Sequence, residues 1–143
     1  MQDEEKLTSA IRTAEKLHGH LGPFLVIGVR MGKTAKKVLG AKGNGKLQAE
    51  ATVPLLTPFS CVLDGIQAIT GCTIGNQKLR IKNSKKEIAV NFTLDSTRAV
   101  KISVIPEITK KLMNKISEGS SNEELAREIA RMPEDQLFTV EKQ

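Results

Sequence analysis

The chain has 143 residues, 39% hydrophobic and 27% charged, with a formal charge of +6; that is enough for one domain with a real core and too few for two comfortable ones. Four Phe and no Trp or Tyr leave the core to Leu, Ile, Val and Ala, and argue against single-strand nucleic-acid binding, which uses aromatic stacking platforms. The start Met1-Gln2-Asp3-Glu4-Glu5 is acidic and polar and does not read as a secretory signal, and no apolar run reaches the length of a membrane span. A cytoplasmic location is therefore expected, with the two cysteines free or metal-bound rather than bridged.

In chain order, Leu7, Ile11, Ala14 and Leu17 recur at helical spacing and predict an amphipathic helix over 3–17. Asp3 is its expected cap and Gly19 its stop. Pro23 suits the first turn of a second helix over 24–39. The first half of that helix is apolar nearly all round, the second half basic and amphipathic. Gly28 and Gly32 lie four apart on one face, a spacing that permits close backbone approach by another element of this chain or of a partner chain. Residues 40–45 carry three Gly and an Asn and read as a turn.

Residues 47–53 alternate apolar and polar, a strand pattern. Pro54 and Pro58 bracket a short loop, and 59–70 read as a helix ended by Gly71, with a turn over 74–77. Residues 78–82 and 87–94 read as two strands joined in hairpin fashion through Asn83-Ser84-Lys85-Lys86. A further strand is expected over 98–104, then helices over 106–117 and 122–131, the second capped by Asn122. Leu137 to Val140 read as a short strand or an extended tail. This order of elements implies an α+β fold with a mainly antiparallel sheet, one domain over 1–143.

Basic residues fall mainly in the first two-thirds (Lys33, Lys36, Lys37, Lys42 and Lys46, then Lys78, Arg80, Lys82, Lys85 and Lys86), whereas the C-terminal segment is acidic. Spread in this way, they read as a solvated surface before a nucleic-acid interface. A basic nucleic-acid-binding module rests on charge alone.

Chemistry concentrates elsewhere. The two His and two Cys all fall between residues 18 and 72, in His18-Gly19-His20-Leu21-Gly22-Pro23, at Cys61, and in Thr70-Gly71-Cys72-Thr73-Ile74-Gly75-Asn76. Imidazole and thiolate are the usual ligands of zinc, nickel and iron, so these segments are expected to meet. The metal candidates are His20, Cys61 and Cys72. A straight helix, at about 1.5 Å per residue, separates Cys61 from Cys72 by about 15 Å, so both can serve one ion only if that helix is incomplete. Cys61 at a helix N-terminus is expected to have a lowered pKa and to favour thiolate. It heads a polar stripe with Asp64 and Gln67, in which Asp64 orients a His or accepts a proton. The competing reading of Cys61 is a buried small hydrophobe. There is no CxxC pair, P-loop, dinucleotide fingerprint or HExxH motif.

The segment His-Gly-His-Leu-x-Pro, followed by Cys-x-x-Asp-x-Ile-Gln-x-x-Thr-Gly-Cys-Thr-x-Gly-Asn and by Pro-Glu-Asp-Gln-Leu-Phe near the C-terminus, resembles the core domain of the FmdE family, which takes its name from formylmethanofuran dehydrogenase. The resemblance covers most of the chain. It implies an α+β core that forms an intertwined homodimer, with a pocket lined by the His-x-His segment and the Cys-Asp-Gln helix. It also implies a bound transition metal such as zinc in some members and a link to a larger oxidoreductase complex of one-carbon metabolism. The matching residues are His18, His20, Cys61, Asp64, Gln67, Thr70, Cys72, Gly75 and Asn76. Two positions depart: Gly22 stands where the family typically has Cys, and Phe24 where it often has Gly. With no Cys pair after Cys72 in this sequence, the core alone, without a zinc ribbon, is expected.

The reading that follows is an accessory-type protein with a pocket for zinc or nickel, or for a small anionic ligand. In it Cys61 and Asp64 are the candidate catalytic groups, and His18, Gln67, Thr70 and Asn76 contact ligand. The alternative is an enzyme using Cys61 as a thiolate nucleophile with a His as base.

Overall fold

Alternation of buried and exposed residues along its strands gives the sheet one face for helices and one for solvent. The computed structural model describes residues 2–42 and 46–143. The elements run α1 (Gln2–His18), α2 (Pro23–Leu39), β1 (Leu47–Val53), α3 (Cys61–Thr70), β2 (Leu79–Asn83), β3 (Ala89–Leu94), β4 (Arg98–Val104), α4 (Pro106–Ser117), α5 (Asn122–Arg131), α6 (Glu134–Leu137) and β5 (Phe138–Lys142). They form an α+β domain around a five-stranded sheet of order β2-β1-β3-β4-β5. The β1–β2 pair is parallel, and the β1–β3, β3–β4 and β4–β5 pairs are antiparallel. Leu47, Ala49, Ala51 and Val53 of β1 are buried on the helix side beside Val90, Phe92, Val100 and Ile102. Gln48, Glu50, Asn91 and Thr93 occupy the other face, where Glu50 pairs with Lys82 at 3.3 Å. Among the described residues no helix is long and apolar enough to cross a membrane.

The expected hairpin between the second and third strands does not form. Ala49 of β1 faces Leu79 of β2 on one side and Phe92 of β3 on the other, so β1 lies between them. Parallel strands need a crossover, and α3 supplies it between β1 and β2. The end of β2 is tied to the end of β1, because the Ser84 amide donates to the Val53 carbonyl at 3.0 Å. The local sequence of β2 and β3 specifies strands but not this partner.

Pro23 opens α2, and Gly40 closes it in the left-handed region with φ 67°, the usual end for a helix. Gly28 and Gly32 receive a neighbour from within this chain. A Cβ on Gly28 would overlap the Val62 carbonyl oxygen and lie 3.1 Å from Gly65 Cα, and one on Gly32 would run into Ile69 and Thr70. Gly65 faces Leu25 and Val29 in the same way. Helix α3 therefore lies against α2 backbone to backbone, which fixes its N-terminus beside the chain that enters α2.

One smaller expectation changes. Ser121 rather than Asn122 caps α5, its hydroxyl accepting from the Glu124 amide at 3.1 Å. The C-terminal segment is an edge strand preceded by the short helix α6. The Asp3 cap and the 43–45 part of the glycine turn lie outside the described residues and side chains.

Candidate functional site

Gly19 builds the first wall of the site. It follows α1 with φ +103°, a conformation glycine adopts without cost, and its amide still donates to the Glu15 carbonyl at 2.7 Å. The chain leaves the helix there, and His18 and His20 come to lie on the same side. Their ring centroids are 4.5 Å apart at an interplanar angle of 45°.

The second wall is the first turn of α3, positioned by its glycine contacts with α2. Cys61 begins it, and Asp64 and Gln67 follow at helical spacing on one face. His18 Nδ1–H donates to Asp64 Oδ2 at 2.6 Å. Gln67 Nε2–H donates to the other carboxylate oxygen at 3.0 Å. Asp64 is thus held between Gln67 and His18, and it assigns the His18 proton to Nδ1. His18 Nε2, the nitrogen a neutral ring leaves as an acceptor, is buried and without a hydrogen-bond partner. An orphaned polar atom in this position asks for an explanation.

The neighbours provide one. Each of His18, His20 and Cys61 offers a ligating atom within 4.8 Å of the other two. Zinc–nitrogen and zinc–sulfur bond lengths place tetrahedral ligand atoms roughly 3.4–3.8 Å apart, close to the spacing found here. A metal-bound His normally donates its other N–H to a carboxylate, and His18 already does so. Two imidazoles and a thiolate suit zinc and its transition-metal neighbours rather than calcium or magnesium. The residues present fit such an ion.

Cys61 departs from the expectation of a lowered pKa. Burial pushes its thiol up, and the Asp64 carboxylate pushes it further in the same direction. The helix N-terminus does not reverse this. The Cys61 backbone amide does pull the thiol pKa down, but burial and Asp64 outweigh it, and the amides of Cys61, Val62 and Leu63 also donate to the carbonyls of Pro58, Phe59 and Ser60. The metal-free site therefore holds a protonated thiol. A bound cation supplies the charge that would remove its proton.

The remaining sequence candidates lie elsewhere or are used otherwise. Cys72 is not part of the group. The α3 helix is complete between the two cysteines, and Cys72 is fully buried with Sγ–H donating to the Leu47 carbonyl at 3.1 Å. Burial also raises its pKa; it is a core residue. Thr70 is fully buried, its hydroxyl donating to the Ile66 carbonyl at 2.6 Å and accepting from the Cys72 amide at 3.1 Å. Asn76 locks the loop after α3: its Oδ1 accepts from the amides of Thr73 and Lys78, and its Nδ2 donates to the Gly71 carbonyl at 2.7 Å. Thr70 and Asn76 thus shape the end of α3 and the turn into β2. Gly75 sits in the same turn with free space around it, Thr73 Oγ1 at 3.9 Å being the one neighbour of an added Cβ.

One structural role escapes the sequence reading. Arg30, on α2, donates to the carbonyls of Ile129 and Met132 at the end of α5, a C-terminal cap supplied from a distant part of the chain. Beside it, Thr34 donates to Glu134 at 2.8 Å. A lone Arg in a helix sequence carries no signal of such a partner.

A family model described as "FmdE, Molybdenum formylmethanofuran dehydrogenase operon" matches residues 17–139. A protein of Archaeoglobus fulgidus described as a "Probable S-adenosyl-L-methionine-binding protein" is 30% identical over 113 residues, which cover 78% of this chain and 31% of that relative. The chain spans less than a third of the relative's length. The family-model match runs from the end of α1, through the His/Cys group and strands β1 to β4, into β5, and the chain belongs to the FmdE family.

Proposed function

We propose that this chain binds a divalent transition metal, zinc before nickel, through His18, His20 and Cys61. In this reading Asp64 fixes the His18 tautomer, and Gln67 fixes Asp64. The observation that carries the reading is His18 Nε2, buried and unpartnered beside two other ligating side chains while its other ring nitrogen is tied to a carboxylate. When bound, such an ion supplies Lewis acidity at a protein-held position. The protein's own residues orient the imidazoles and hold the thiol.

The role that goes with this site is that of an accessory component of one-carbon or methanogenesis-type metabolism, supported by membership in the family. It includes a homodimeric state and attachment to a larger oxidoreductase complex. The ligand is a small anionic molecule. The relative's description adds S-adenosyl-L-methionine as a separate molecule to test; it is a net cation near neutral pH and offers an ion only its amino-acid carboxylate and amine.

The alternative of a Cys61 nucleophile is weaker. A thiol raised by burial and by a neighbouring carboxylate is poorly ionised near neutral pH. Calorimetric titration of zinc into the metal-free chain tests the leading reading. It predicts binding that His18→Ala and Cys61→Ser abolish. Binding unaffected by either substitution would contradict it.

A further inference from the structure

We infer that Gly22 keeps the metal group open, leaving its remaining coordination position to a small anionic or thiolate donor from solution. The inference rests on the metal-binding reading above and deepens it by naming what selects the ligand.

Glycine at this position is not required by packing. A Cβ on Gly22 meets only the edge of the His20 ring, with Nε2 at 3.9 Å and Cδ2 at 4.0 Å. Those are ordinary van der Waals distances, and nothing else comes within 4 Å. The contrast with Gly28 is sharp, since a side chain there would overlap the backbone of α3. Nor does the backbone demand glycine. Gly22 has φ −153° and ψ 168°, an extended conformation open to any residue. What glycine does at 22 is leave space beside a ligating imidazole. A donor-bearing side chain rooted there would start beside the edge of the His20 ring, next to one of the three ligating side chains.

The group therefore offers three donors, and residue 22, beside His20, adds no fourth. Three protein ligands and an open position distinguish ligand-accepting zinc sites from closed structural ones. Charge selects the class of ligand. Two neutral imidazoles and one thiolate leave a divalent ion with net positive charge, which favours an anionic donor. His20 is exposed, so the group is reached from solvent on its side.

Cobalt(II) absorption tests this, because each thiolate bound to the ion adds charge-transfer intensity. The proteins are the cobalt-loaded full chain and its Gly22→Cys and Gly22→Ala variants, and the added probes are 2-mercaptoethanol and azide. In the wild type, saturating thiol is expected to raise the charge-transfer absorption roughly twofold as a second sulfur joins that of Cys61, and azide is expected to shift the ligand-field bands. Gly22→Cys is expected to show the raised intensity before any addition and to ignore both probes. Gly22→Ala, which adds the Cβ without the sulfur, is expected to respond like the wild type. The wild-type titration decides the matter even where a variant fails to fold. A cobalt-loaded wild type that ignores both probes has its fourth position already filled, by this chain or a second copy; that overturns the inference and leaves the metal reading intact. A wild type that takes up no cobalt overturns both.

Discussion

Replacing Asp64 by Asn keeps the size of the side chain and removes its charge, and so isolates the support of the metal group from the ligands themselves. The His18–Asp64 hydrogen bond is short, 2.6 Å, and the His18 side chain is only 13% exposed. Loss of such outer support costs about 10–100-fold in metal affinity, equivalent to about 1.4–2.8 kcal/mol at about 1.4 kcal/mol per tenfold. Asp64 itself is 35% exposed, so solvent screens part of its field and the lower half of that range is expected. The amide can also present its NH2 to His18 Nδ1 and favour the wrong tautomer, which adds to the loss. Competition for zinc against a chromophoric chelator measures the difference, with urea unfolding run alongside to check the fold. An Asp64→Asn protein that folds normally and binds zinc as tightly as the wild type would refute the role given to this carboxylate.

Gly28→Ala is expected to destabilise the chain by about 1–3 kcal/mol or more, because its Cβ would overlap the Val62 carbonyl oxygen; Gly75→Ala, with its nearest neighbour at 3.9 Å, is expected to change urea midpoints little. Asn76→Ala removes three hydrogen bonds of the loop after α3 and is expected to cost about 1.5–4.5 kcal/mol at about 0.5–1.5 kcal/mol each while leaving zinc affinity unchanged; a selective loss of zinc binding would restore Asn76 to the site. Burial and Asp64 raise the Cys61 thiol, so its alkylation in metal-free protein is expected to be slow near neutral pH, to rise only above the ordinary thiol range, and to be faster in Asp64→Asn. Both cysteines titrate higher folded than unfolded, so the stability they contribute is complete below the ordinary thiol pKa and is lost as pH rises through it toward the raised values; denaturant melts of the metal-free chain across alkaline pH read this out.

Much of the fold is written in local periodicity. The helix over 24–39 is announced by Pro23 and an apolar face, and β1 and β4 by alternation, which is why these elements lie where their residues place them. Partner choice is not local. The β2 residues Leu79 and Ile81 pair with Ala49 and Ala51 of β1, and nothing in their own spacing separates that from a hairpin with β3. The candidate site shows the same division. The scarcity of His and Cys points to His18, His20, Cys61 and Cys72 alike, with Cys72 rather than His18 in the expected metal set, and the 61/64/67 spacing points to Asp64 and Gln67. Cys72 shares the residue type but sits beyond a full helix, and its thiol faces the Leu47 carbonyl. The thiol pKa of Cys61 was the least legible feature. A helix N-terminus predicts lowering, whereas burial and Asp64 together decide the opposite.

The most direct test of the metal group is elemental analysis of the purified, untagged chain, native and zinc-reconstituted, beside His18→Ala and Cys61→Ser. A group built from His18 Nε2, His20 and Cys61 predicts near-stoichiometric zinc or nickel in the wild type and its loss in both variants. No metal in any sample after reconstitution, or equal metal in all three, would contradict it.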